Sequence, residues 1–411
     1  MSPTSSASLG YQLSLIGYSF SPTARGAYRV KISAHDQSHA PDLHLPHLFC
    51  IMPRAYPLSR RKQRLPHDPG MDPCSFDIKV HVAAIGGGGG ATHVLRAVAP
   101  FAASRTAIIA VTDTGRSTGL ARQIGAMPAP GDLRATIAAF ASDQVMAETL
   151  NHRFDGAGVP ALAGMAFGNL LIAALTRVTG DFAVAVEHTA RLAGASVHVL
   201  PVSVANTTLC AELIDGTYVT GEFEVRAPGK SPLARLFLHE PANAYPPALD
   251  AIRSADLVVI GPGSLWTSVL ACLQFGGVVE ALAHCRGTVA YVCNSTTQPG
   301  QTDGYRCIDH VQRIVTTLGP GVLDVALINR SNPDADALRP YEEEGLHLLR
   351  PDEDEIAAVR ALGVMPLVRE LTGYVEPRRA LWNKQDTIRY DTGALGVALH
   401  EVVMMKGKTN G

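Results

Sequence analysis

Residues Val80-His81-Val82-Ala83-Ala84-Ile85 run directly into five consecutive glycines, Gly86 to Gly90. Glycine lets a chain turn sharply and lets its backbone approach a ligand, because no Cβ stands in the way. A helix-compatible stretch follows from Thr92 to Ala99. A helix starting there would aim its free N–H groups and positive dipole end at a phosphate. The order strand, tight turn, helix makes Gly86, Gly87, Gly88, Gly89 and Gly90 a candidate nucleotide site.

The pattern continues beyond Ile78. Short apolar runs at 79–85, 106–112, 196–201, 256–260, 288–293 and 323–328 read as strands. Helical spacing fills much of the sequence between them, at 132–142, 145–153, 169–177, 181–193, 267–273 and 306–317. This alternation predicts a doubly wound α/β fold with a mostly parallel sheet. Ala, Val, Leu and Gly are plentiful and aromatics make up only 6% of the chain, which suits helices packed on a sheet buried on both faces. Residues 208–240 carry Asp215-Gly216-Thr217 between two alternating runs and predict an inserted β-hairpin. The charged stretch 331–380 gives no clear element, and 384–404 reads as a loop followed by a C-terminal helix.

Residues 1–77 differ. They are rich in Ser, Pro and His, and carry a basic cluster at Arg60-Arg61-Lys62-Gln63-Arg64. Three readings stand: a disordered extension, upstream sequence before a true start at Met71, or a targeting arm. The division expected is an extension (1–77), a nucleotide-binding α/β domain (78–405) and a short tail (406–411). With a net charge of −2 there is no basic excess to point to nucleic acid. No apolar run reaches the roughly 18 residues of a membrane span. The seven cysteines are irregularly spaced with no Cys-x-x-Cys. The expectation is therefore buried free thiols in a reducing cytoplasm rather than a zinc ribbon or disulfide framework.

Several predicted strands end in polar or glycine-rich sequence. One ends in the five glycines. Another leads to Thr112-Asp113-Thr114-Gly115-Arg116-Ser117-Thr118-Gly119, a third to Gly261-Pro262-Gly263-Ser264, and a fourth to Asn294-Ser295-Thr296-Thr297-Gln298. In open parallel sheets, ligands bind beyond the carboxyl ends of strands, so these ends predict one cleft. Each residue also has a plainer role. Asp113 suits a turn as well as a metal or sugar contact. Ser264 suits an N-cap as well as an anion contact. Asp132 and Asn169, each near a predicted helix start, suit caps as well as ligand contacts. His310 follows Asp309 on a helix and is either a proton carrier or structural. No zinc-protease or P-loop motif is present.

Taken in order, these segments resemble the gluconeogenesis-factor (YvcK) branch of the YvcK/CofD superfamily. The series runs through Ile85-Gly86-Gly87-Gly88, Pro130-Gly131-Asp132-Leu133-Arg134, Phe167-Gly168-Asn169-Leu170-Leu171, Leu200-Pro201-Val202, Asp215-Gly216-Thr217 with Gly221-Glu222, Ile260-Gly261-Pro262-Gly263-Ser264-Leu265-Trp266-Thr267-Ser268, and Asn294 with Thr297-Gln298-Pro299-Gly300. It spans about residues 79–405. The resemblance implies a Rossmann-like fold that self-associates, usually as a homodimer. The YvcK branch implies binding of UDP-sugars such as UDP-N-acetylglucosamine, with a regulatory role linking carbon metabolism to cell-wall synthesis and cell shape through an unknown protein partner. The CofD branch implies transfer of a phospholactyl-type group with Mg²⁺. A C-terminal arginine tied to UDP-sugar binding in the family matches Arg389.

Two departures stand out. The family's first loop reads Gly-Gly-Gly-Thr-Gly, and here Gly89 replaces the Thr. Its second loop reads Asp-Asp-Gly-Gly-Ser-Ser-Gly, and here Thr114 replaces one Asp and Arg116 adds a cation. The leading expectation is a UDP-sugar-binding regulator with little or no turnover. In it Gly86–Gly90, Gly261, Gly263 and Ser264 cradle phosphates. Asp113, Asn169, Asn294 and Gln298 read sugar or base, Ser117 and Asp132 complete the site, and Arg389 offsets phosphate charge. The alternatives are a CofD-like transferase with Mg²⁺ on Asp113 and Asp132, and an NAD-dependent oxidoreductase using Gly86, Gly88 and Ala91 as a dinucleotide fingerprint.

Overall fold

A computed structural model describes residues 79–373 and 388–409, with side chains as far as 405, and the segments 18–22 and 28–32. The chain divides into two units, Met1–Asp72 and Pro73–Gly411. In the first, β1 (Tyr18–Pro22) pairs antiparallel with β2 (Tyr28–Ile32). The rest of the expected 1–77 extension, including the basic cluster and Met71, lies outside the described residues.

The second unit is built on seven parallel strands. The chain forms β3 (Val80–Gly86), then steps outward through β4 (Ala102–Ile109) to β5 (His198–Pro201). It next builds a small antiparallel sheet from β6 (Leu209–Leu213), β7 (Tyr218–Thr220) and β8 (Leu233–Leu238), with β6 in the middle. It then returns to the other side of β3 with β9 (Leu257–Ile260) and steps outward through β10 (Thr288–Val292), β11 (Val325–Asn329) and β12 (Met365–Arg369). The strand order reverses between β3 and β9, which is where a doubly wound sheet opens a crevice. All residues of β9, β10 and β11 are buried, so these strands read as unbroken apolar runs rather than alternating ones.

Helices cover the sheet, beginning with α1 (Gly88–Ala97), α2 (Arg116–Gly125), α3 (Gly131–Ala139), α4 (Gln144–Asn151), α5 (Phe167–Thr179) and α6 (Phe182–Leu192). Their ends follow local chemistry. Asp143 and Asp181 cap α4 and α6, accepting from the amides of Met146 (3.0 Å) and Val184 (3.1 Å). Gly180, at φ +72°, ends α5 in the left-handed conformation. No helix among the described residues is long and apolar enough to cross a membrane.

The doubly wound parallel sheet and the inserted hairpin match the expected architecture, with four differences. β4 starts at Ala102 because residues 102–106 are only partly buried there and lack an apolar signature. The polar segment after it is not a loop throughout, since Arg116–Gly125 is helical. β12 emerges from the charged stretch. It is an edge strand bonded only to β11, with its two ends exposed and only Leu367 buried, so its apolar signal is short. The hairpin turn at Asp215, whose Oδ1 accepts from the Thr217 amide (2.9 Å), gains a third strand when β8 joins the other side of β6.

The five glycines face different surroundings. A Cβ on Gly90 would lie 1.6 Å from the Pro262 carbonyl oxygen, whereas a Cβ on Gly89 would meet nothing within 4 Å. Gly90→Ala is therefore expected to destabilise by about 1–3 kcal/mol through forced overpacking. Gly89→Ala is expected to stabilise α1 by roughly 0.5–1 kcal/mol. Thermal and urea unfolding of the two variants checks this; equal effects would contradict the placement of α1 against the turn after β9.

Candidate functional site

The two glycine turns meet at the switch point. Gly86 closes β3 at φ +154°, and Gly261 follows β9 at φ +72°, a conformation that glycine adopts without strain. Beyond it, Ser264 caps a π-helical segment, Leu265–Leu270. Its Oγ accepts from the Thr267 amide (3.3 Å) and donates to Gln301 Oε1 (2.6 Å). Asn294, just past β10, donates from Nδ2 to the Gly263 carbonyl (2.7 Å) and accepts from Tyr291 Oη (3.1 Å). The side chain of Asn294 thus fixes the shape of the Gly-Pro-Gly turn.

Between the turns lies a cleft of about 420 Å³. Of the residues singled out from sequence, Gly87, Gly88, Gly89, Gly90, Asp132, Gly263, Ser264, Asn294, Gln298 and Arg389 line it. Gly86 and Gly261 are not among the lining residues; they form the strand ends behind it. Gln298 is only 3% exposed, and its Oε1 is buried with no hydrogen-bond partner among the described residues. Such an acceptor carries a desolvation cost that a ligand donor would remove.

A second cavity of about 90 Å³ adjoins the cleft through Asp132 and Ser268, and Asp113, Glu222 and Arg226 also line it. Asp113 makes the turn expected of it, its Oδ1 accepting from the Gly115 amide (2.8 Å). Asp132 does not cap α3. It sits in the first turn behind Pro130, and no side-chain bond caps that helix. Its carboxylate points toward α1, where a Cβ on Gly87 would lie 3.1 Å from Oδ2. Burial pushes the Asp132 carboxyl up from the ordinary range, and the nearby charge of Asp113 adds to this, while the Gly88 amide and Arg134 offset part of it. Glu222 is raised for the same reasons, burial first and Asp113 next, against the ion pair with Arg226 at 3.3 Å. Its Oε2 has no partner among the described residues.

Ser117 and Asn169 line neither cavity. Asn169, 1% exposed, accepts from Arg134 Nε (3.1 Å) and donates to Ser117 Oγ (3.2 Å), which also accepts from Arg153 (3.1 Å). These bonds stitch α2, α3 and α5 together. Burial holds the Arg134 guanidinium down at about 10, with Arg153's charge adding to the shift. Asn169 is also not a cap, because α5 begins at Phe167 behind Ala166. His310 is fully buried, with Nδ1 against the Arg306 carbonyl at 3.0 Å, and stands outside both cavities. The side chain of Arg116 lies outside the described residues.

Sequence reasoning missed His93 and Arg96, which line the cleft from α1. The signal was present: 89, 93 and 96 fall on one helical face, at spacings of four and three. Burial pushes the His93 imidazole down, and the charges of Arg389 and Arg96 push it further, against the Tyr390 backbone. Its Nε2 is buried with no partner among the described residues. Ile388 and Tyr390 join the wall, anchored by Ser295 Oγ donating to the Ile388 carbonyl (2.6 Å) and by a bond from Tyr390 Oη to the Cys293 carbonyl.

The chain matches the family model described as 2-phospho-L-lactate transferase CofD over residues 82–371. It is 39% identical over 290 residues to a gluconeogenesis factor of Halalkalibacterium halodurans, covering 70% of this chain and 88% of that protein. It is 35% identical over 316 residues to the gluconeogenesis factor of Bacillus subtilis, covering 76% and 95%. A crystal structure of a Bacillus halodurans protein superposes with a TM-score of 0.72 at 33% identity, covering 78% of this chain and 99% of that one. With a family match spanning the strands and turns that build the cleft, this chain belongs to the CofD family, in company with the gluconeogenesis factors.

Proposed function

We propose that this protein binds a nucleotide sugar, of which UDP-N-acetylglucosamine is the leading candidate, in the cleft between β3 and β9. On this reading it acts as a regulator that links carbon metabolism to cell-wall synthesis and cell shape, with little or no turnover. The observation that carries the binding is Gln298: a buried acceptor without a partner, in the wall of a cleft of about 420 Å³. That size falls in the range of small-molecule sites. The names of the relatives support the regulatory side, and Arg389 stands in the wall where the resemblance places a UDP-sugar contact.

The second reading is a CofD-like transferase, supported by the family model and the acidic cavity beside the cleft. Mg²⁺ there would have to draw on the second carboxylate oxygens of Asp113 and Glu222 beside Asp132, with phosphate and water completing its shell. One oxygen of Asp113 is taken by the Gly115 amide and one of Glu222 by Arg226. Among the described residues no group of three or more His, Cys, Asp or Glu is arranged to hold a metal. The family match gives the NAD reading no support.

Titration calorimetry of the full chain with UDP-N-acetylglucosamine, GDP and NAD, each with and without Mg²⁺, separates these readings. UDP-sugar binding that does not depend on metal is expected; binding of GDP only with Mg²⁺ would replace the first reading with the second. Arg389→Ala and Gln298→Leu should each weaken UDP-sugar binding about tenfold or more, about 1.4 kcal/mol, with thermal melts run beside each titration to separate lost binding from lost fold. Gly89→Thr, with open space at its Cβ, should fold and bind the UDP-sugar at least as tightly as the parent. Glu222 offers a check on the acidic cavity. Its raised carboxyl means the native state holds a proton that the unfolded chain has released, so stability falls as pH rises above the ordinary carboxylate range of about 4.3. Glu222→Gln removes that penalty. Its melting temperature relative to the parent should therefore climb between pH 4 and the raised native value and then level off. A gap that stays flat with pH would contradict the buried, unpaired oxygen.

A further inference from the structure

The N-terminus of α1 is where a fold of this kind offers its amides to a phosphate. Here that place already faces a carboxylate. Asp132 lines the cleft beside Gly87 and Gly88, and Asp113 and Glu222 stand behind it in the adjoining cavity. A phosphate lodged on the glycine turn would meet three carboxylates within or next to its chamber. Farther along α1 the charge reverses. His93 and Arg96 project into the cleft on the same face as Gly89, and Arg389 joins the lining from the C-terminal segment.

We propose that His93, Arg96 and Arg389 form the anion-binding end of the cleft, with the His93 ring turning its Nε2 onto the ligand's phosphate, and that the glycine turn lies against the uncharged part of the ligand. This rests on the nucleotide-sugar reading for the identity of the ligand, and it places the diphosphate away from the glycines. Three observations support it. His93 Nε2 is buried without a partner among the described residues, and a phosphate oxygen would supply one. Arg96 is braced for such a contact: its Nη2 donates to the Ala139 carbonyl (3.1 Å) and its guanidinium lies over the Phe140 ring. The Gln298 acceptor cannot serve an anion, and it marks the part of the cleft that reads a donor, such as a sugar hydroxyl or a base N–H.

The charge around His93 gives the proposal a signature. In the ligand-free protein, burial and the two arginines favour the neutral ring. An arriving diphosphate reverses the local field and favours the imidazolium, so binding takes up a proton. Asp391 also acts on His93, from the segment leading into the C-terminal helix, and Asp132 of α3 lines the same cleft. Two other groups against α1 have different partners. Arg105 of β4 bonds the Leu95 carbonyl, and His400 packs its ring on Phe101. The diphosphate of a UDP-sugar is a diester with no proton to exchange near neutral pH, so an exchanged proton reports the protein.

The test is calorimetric titration of the full chain with UDP-N-acetylglucosamine at pH 7.5 in HEPES and in Tris, which differ in ionisation heat and so reveal proton uptake. The wild type should take up a fraction of one proton. His93→Gln should weaken binding about tenfold and abolish the uptake, and Arg96→Gln should weaken binding by a similar factor. Unchanged affinity in both variants, or the same uptake in His93→Gln, overturns the proposal. Thermal melts accompany each variant. If Arg96→Gln unfolds because it loses Ala139 and Phe140, the proton count in His93→Gln decides alone. If the wild type gives no heat with the UDP-sugar, the nucleotide-sugar reading fails, and inorganic pyrophosphate becomes the probe. Pyrophosphate binding that His93→Gln weakens about tenfold upholds the anionic end; pyrophosphate that binds both proteins equally, or neither, overturns it.

Discussion

One backbone contact shapes this molecule's cleft. The start of α1 presses on the turn after β9, closely enough that a single Cβ on Gly90 would collide with the Pro262 carbonyl. Parallel strands on either side of a switch point diverge into a crevice, but the crevice holds a defined shape only if its two rims are locked together. Here the lock has no side chain of its own. It is held from outside, by Asn294 bonded to Gly263 and by Ser264 and Thr267 gathered on Gln301. The polar residues past β9 and β10 therefore set the shape of the cleft as well as lining it.

The charge layout follows from the same geometry. α1 brings its N-terminus to Asp132 and its second and third turns to the C-terminal segment, so one helix spans an acidic chamber and a cationic wall. On the proposed reading, an anion entering the cleft would be repelled at one end and attracted at the other, which would orient a ligand carrying charge at one place only. This is why the buried acceptor of Gln298 and the unpartnered nitrogen of His93 carry more information than the glycines, whose amides suit many anions.

Much of this was legible in the sequence. Strands β3, β9, β10 and β11 are buried on both faces and appear as apolar runs, and the turns after them carry glycine and amide residues in place of further apolar ones. Gly87–Gly90, Gly263, Ser264, Asn294 and Gln298 could be placed together for that reason. Asp113, Ser117 and Asn169 were harder to read, because a short polar side chain after a strand or near a helix start looks the same whether it faces a ligand, a loop amide or another helix. Asn169 serves α2 and α3 in this protein. Arg96 and His93 were overlooked for the opposite reason: they belong to an amphipathic helix, where polar residues are normally assigned to solvent.

The run of five glycines also has a bearing on how such a chain can diverge. Added atoms at Gly87, Gly88 and Gly90 would meet a serine hydroxyl, the Asp132 backbone and the Pro262 carbonyl, and Gly86 has a backbone angle that other residues rarely adopt. Gly89 alone among the five opens onto empty space. It is also the position where the related loop carries threonine. A side chain added at Gly89 would therefore change the rim of the cleft without disturbing the contact that holds the rim in place.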